Sequence, residues 1–122
     1  MDLWTRLLIL VAGLFGTAGV VSAAIAAHVG GGTNIESASH FLLFNAATLA
    51  GLAALALQLS RGGLLLKIGA TAIALGTLLF TSDLAVRVLE IRLPTGSAPF
   101  GGSLMILGWL IVAATAPLAR RY

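Results

Sequence analysis

The sequence has no cysteine among its 122 residues, which excludes disulfides, thiolate nucleophiles and Cys-ligated metal clusters. Charge is almost as scarce. Seven basic and four acidic side chains make up 9% of the chain, against about 25% in a soluble domain. So few charges cannot cover a water-facing surface, and the chain must have apolar solvent around it. The net charge of +3 comes from scattered residues. No basic stripe with interleaved aromatics is present, which sets nucleic acid aside as a partner. What the chain does contain is apolar: hydrophobic residues make up 59% of it and the mean hydropathy is +1.07.

A spanning helix needs about 20 mainly apolar residues to cross a hydrocarbon core about 30 Å thick. Four stretches meet that length, at about 7–27, 41–59, 64–88 and 102–118. Breaker residues separate them. Gly30, Gly31, Gly32 and Asn34 follow the first, Arg61, Gly62 and Gly63 the second, and Pro94, Thr95, Gly96, Ser97 and Pro99 the third. The expected fold class is therefore an all-α membrane protein, a single domain forming a compact bundle of four transmembrane helices. Arg6, the following apolar run and Ser22-Ala23-Ala24 also resemble a signal peptide, but the segment reads as a spanning helix.

Orientation follows from the basic residues. With the N-terminus inside, the inner segments hold Arg6, Arg61, Lys67, Arg120 and Arg121, and the outer loops only Arg87 and Arg92. The positive-inside rule then places both termini in the cytoplasm, with Trp4 and Tyr122 as anchors at the inner interface. The expected location is a bacterial inner membrane.

Small residues recur at four-residue spacing: Gly19, Ala23 and Ala27 in the first segment, Ala46, Ala50 and Ala54 (with Ala47 and Gly51) in the second, Ala72 and Gly76 in the third. Lipid tails give helices no hydrophobic drive to associate, so close backbone approach must supply it. Packing within the bundle is the plain reading; a face for a second copy or a partner is the other.

Polar side chains at membrane depth are costly, so their placement is informative. His28, His40, Asn45, Asp83 and Arg87 form the candidate polar cluster, all toward the outer half. The inner half offers little beyond Gln58 and threonines. Asp83 and Arg87 lie four residues apart with Glu90 three further on, the favourable order for a helical ion pair. A neutralised pair near the interface is the simpler reading; a proton, ion or partner contact is the functional one. His28 and His40 flank a short Gly-rich connection and, with Asp83, raise a metal or b-type haem site as an alternative. No His pair at i, i+3 or i+4 supports it, so no cofactor or metal is expected. Trp109 reads as a packing residue in mid-helix, and Pro99, Gly101 and Gly102 as the start of the last helix. No nucleophile–base arrangement appears, and an enzyme is not expected.

Three stretches together resemble one family. Ala98-Pro99-Phe100-Gly101-Gly102 through Gly108-Trp109 is similar to a Pro-x-Gly-Gly, five residues, Gly-Trp pattern. Gly76-Thr77-Leu78-Leu79-Phe80-Thr81-Ser82 is similar to Gly-x-x-Leu-Phe-Ser/Cys, and Gly19 through Ala27-His28 to a segment ending Gly-Ala-His. They resemble domain-of-unknown-function family 423, small bacterial membrane proteins related to eukaryotic transmembrane protein 256. Ala23 and Ala26 stand where that family has glycines, its second-helix histidine falls near Phe44 or Asn45, and Asp83 and Ala85 replace its small residues and tyrosine. The resemblance implies a divergent member with four helices, and no activity. The expected role is an accessory subunit that packs on a larger membrane complex or on itself, with the lipid bilayer as its other partner. A small transporter or channel, or a lipid-handling protein, is the alternative.

Overall fold

The computed structural model describes residues 1–29, 32–88 and 97–122, with side chains described at all of these but 32, 85–88 and 97–99. Four helices run through them: α1 (Leu3–His28), α2 (Gly32–Gln58), α3 (Gly63–Val88) and α4 (Ser97–Thr115). The strands β1 (Leu59–Arg61) and β2 (Arg120–Arg121) pair antiparallel. Three helices are long and apolar enough to cross a membrane. The fourth has a shorter apolar stretch, Phe100–Thr115, about 24 Å of helix at 1.5 Å per residue.

The helices differ from the sequence expectation at their ends. Helix α2 begins about nine residues before Phe41, because Ala38, Ser39 and Leu42 continue the face that packs on α1. Helix α4 begins at Ser97 and stops at Thr115, earlier at both ends than expected. Proline is tolerated in a first turn, whose N–H groups have no intrahelical partner, so Pro99 lies inside the helix. Pro117 lacks an N–H and disfavours the helical conformation for Ala116, which ends the helix.

The helices pack in chain order: α1 on α2, α2 on α3 and α3 on α4, while α1 touches α3 only slightly. No α1–α4 interface forms among the described residues, so the bundle is an open one. One apolar core joins α1, α2 and α3 through Leu8, Ala12, Phe15, Leu42, Leu49, Ala53, Ala70 and Ile73.

Helices α3 and α4 meet through four glycines. A Cβ built on Gly76 would lie 2.6 Å from the Gly101 carbonyl oxygen and 2.7 Å from the Met105 nitrogen, and one on Gly101 would lie 2.6 Å from the Phe80 nitrogen. Gly69 and Gly108 repeat the arrangement one heptad away, each facing the other's carbonyl oxygen, at 3.1 and 2.8 Å. Backbone touches backbone here, which supplies the dispersion and weak Cα–H···O contacts that hold helices together in lipid. The packing positions are thus Gly101 and Gly108. Gly102 has nothing within 4 Å of a Cβ, and Trp109 is 40% exposed. Adjacent helical residues point about 100° apart, so the heptad pair claims one face and their successors turn away from it.

The two chain ends and the α2–α3 turn lie together, at what we term the near end. Tyr122 N–H donates to the Gln58 carbonyl at 3.2 Å, and the Ser60 hydroxyl bonds the carbonyls of Arg120 and Arg121, each at 3.2 Å. Gly62 makes the turn with φ +88°, and a Cβ on it would lie 3.2 Å from Ala119 Cα. Glycine adopts that conformation at no steric cost.

Candidate functional site

Polar side chains in a membrane helix must find partners, and most hydroxyls here find them in their own helix. Thr17, Ser22, Thr48, Thr81 and Thr115 each donate to a carbonyl four residues back. They are satisfied in place and mark no polar path. The hydroxyls of Thr71 and Thr77 do more. Each donates to its own helix and also accepts from a neighbouring one.

At the near end, Trp4 Nε1 donates to Thr71 Oγ1 at 2.8 Å, joining α1 to α3. Lys67 Nζ lies 5.1 Å above the Trp4 ring and 3.0 Å from Asp2 Oδ2, so one ammonium makes a cation–π contact and an ion pair. The Thr5 hydroxyl donates to the other Asp2 oxygen. These contacts hold the Asp2 carboxyl at about 2, below its usual 3.8, the Thr5 hydrogen bond being the larger cause and the Lys67 ammonium the next. The five residues lie up to 69 apart in the chain, from Asp2 to Thr71, so no local signal marks them as a group. Only the return of α3 brings them together.

In the middle of the bundle Asn45 is buried, 1% exposed, and its Nδ2 donates to Thr77 Oγ1 at 2.7 Å and to Met105 Sδ at 3.4 Å. One side chain of α2 therefore touches both α3 and α4. Its Oδ1 is buried without a hydrogen-bond partner among the described residues. An amide so placed fixes register between helices, as buried polar residues do at helix interfaces.

At the far end the described residues include only part of the anticipated cluster. His28 and His40 are exposed. The Ser39 hydroxyl donates to the Gly19 carbonyl at 3.1 Å, so His40 sits level with the Gly19 turn, about 13 Å of helix from His28. Asp83 is buried, 6% exposed, on α3. The side chain of Arg87, and with it the Asp83–Arg87 pair, lies outside the described residues, as do Glu90, Arg92 and the Pro94–Gly96 loop. Pro99 is described in its backbone alone. Among the described residues no three His, Cys, Asp or Glu side chains gather as a metal-binding group.

What the far half does contain is a groove. Beyond Phe15, α1 and α3 separate and leave an apolar cleft of about 570 Å³ floored by Ala38 and Leu42 and walled by Leu14, Ala18, Leu75 and Leu78. On the outer side of α2, Ala47, Ala50, Gly51 and Ala54 form an exposed strip of small residues, flanked by exposed Leu43, Phe44 and Leu55. Only Ala46 of that anticipated α2 set is buried.

Searches against protein-family models, curated proteins and solved structures find no match to this chain.

Proposed function

We propose that this protein is an accessory subunit of a membrane assembly: a multi-pass helical protein of the bacterial inner membrane, both chain ends cytoplasmic, that packs against a larger membrane protein or a second copy of itself. The observation that carries this reading is the exposed strip on α2. The outer face of α1 presents Leu3, Leu7, Leu10 and Val21, the bulky side chains that suit lipid. The outer face of α2 presents Ala47, Ala50, Gly51 and Ala54 instead, and a Cβ on Gly51 would meet nothing within 4 Å. Small residues gain little from lipid and much from the close approach of another helix. The motifs quoted above support a place in domain-of-unknown-function family 423. The near-end concentration of basic residues supports the cytoplasmic orientation.

The test uses a photoreactive amino acid at Ala50, with a second variant carrying it at Leu10. After irradiation of native membranes, the Ala50 variant is expected to yield a defined protein adduct and the Leu10 variant lipid adducts alone. Lipid adducts from both positions would reject the accessory role.

A further inference from the structure

We infer that the near end is a docking site for the phosphate headgroups of anionic lipids. Five basic side chains, Arg6, Arg61, Lys67, Arg120 and Arg121, lie at this end, against one acidic side chain, the carboxylate of Asp2. That carboxylate is already engaged by Lys67 and Thr5. The four arginines are exposed, and none has an acidic partner among the described residues. Their positions are built rather than incidental. The β1–β2 pair sets Arg61 opposite Arg120, the Ser60 hydroxyl ties down the backbone of both Arg120 and Arg121, and the positive-φ turn at Gly62 brings that clasp against the start of α3. Beside it lies a hollow of about 460 Å³ whose lining includes Ser60, Arg61, Lys67 and Tyr122, and also Asp2, which Lys67 and Thr5 engage.

Charge complementarity selects the occupant. A guanidinium presents a planar fork of donors that matches a phosphate, and the clasp lies just past the ends of α2 and α4, where helices that cross a bilayer meet its headgroups. Basic clusters beside membrane helices attract anionic lipid, each residue adding to the attraction within a Debye length. Trp4, under the Lys67 ammonium, is a reporter at the same end.

The full chain carrying Trp109→Phe, which leaves Trp4 as its one tryptophan, is reconstituted in bilayers. Its fluorescence is quenched with phosphatidylglycerol or phosphatidylcholine brominated at shallow acyl carbons. The expected result is about a fivefold preference for phosphatidylglycerol at low salt. It should fall toward one in Arg61→Gln/Arg120→Gln/Arg121→Gln, and in the parent chain at 1 M salt. Equal quenching by the two lipids would overturn the proposal, as would a preference that the triple variant retains. Loss of the preference on adding inorganic phosphate at constant ionic strength would overturn the assignment to lipid in favour of a free anion.

Discussion

Helix α3 is joined to its two antiparallel neighbours and to α1 by different means, and the α4 and α1 contacts make the sharpest contrast. Against α4 it has glycines at Gly69 and Gly76 facing Gly108 and Gly101, so the two backbones run in contact for two turns. Against α1 it has the Trp4–Thr71 hydrogen bond and the Asp2–Lys67 pair at one end, and a cleft of about 570 Å³ toward the other. In lipid, where apolar side chains gain nothing by leaving their surroundings, a helix pair without small residues at its interface needs polar clasps or it parts. The α3–α4 seam needs no clasp. The α1–α3 contact adds to its polar clasp only the edge of the core it shares with α2.

The seam is the place to break this contrast with the largest effect. Gly76→Val puts a branched side chain where even a Cβ would lie 2.6 Å from a carbonyl oxygen of the backbone. The expected loss is roughly 3 kcal/mol, read as an earlier midpoint in denaturation from detergent micelles. Gly102→Ala, one position from the contact and with open space around it, is the control and should change little. An unaffected Gly76→Val would mean the helices do not meet there.

Thr77→Val tests the central node with a smaller effect. It keeps the shape of the side chain and removes the hydroxyl that accepts from Asn45. A cost of about 1 kcal/mol is expected, and little further cost from adding Asn45→Leu, since the amide would then leave no unpaired group. Additive losses in that double-mutant cycle would deny the hydrogen bond.

The near-end clasp can be opened more gently. Trp4→Phe keeps the ring under Lys67 and removes the bond to Thr71, for about 0.5 kcal/mol. Because the chain has no cysteine, spin labels at Ser22→Cys and Ser82→Cys report the cleft directly by pulsed dipolar spectroscopy. Trp4→Phe should lengthen and broaden that distance; an unchanged distribution would show that the clasp does not hold α1.

The smallest effect concerns pH. The Asp2 carboxyl has its folded value lowered from 3.8 to about 2, so its contribution to stability is complete above the higher value. That contribution is lost as pH falls through the lower one. The difference in unfolding midpoint between the parent chain and Asp2→Asn should therefore be constant from pH 8 to pH 5 and shrink only below about pH 4. A difference that shrinks between pH 8 and pH 6 would assign the clasp to another group.

Much of this architecture is legible in the residues. Long apolar runs interrupted by Gly62-Gly63 and Pro94 fix the number of helices, since a backbone in lipid must satisfy its own hydrogen bonds. Antiparallel succession alone then brings the two chain ends to one end of the molecule. The glycine spacing was half legible. Gly76, Gly101 and Gly108 stand out, but Gly102 and Trp109 look equally marked in a linear motif, and only a helical face separates them. The polar contacts between helices are the least legible. Charge and histidine mark the far end in the sequence, whereas Trp4, Thr71 and Thr77 are ordinary residues until a partner from another helix arrives.

Local chemistry sets each element: apolar length makes the helix, glycine and proline end it, and basic residues gather at one end. Which threonine becomes an acceptor, which glycines touch and where α1 leaves α3 depend on pairings across 25 to 67 residues. Those distances along the chain carry no local signal, because a contact between helices is a property of two faces, and a sequence shows each face alone.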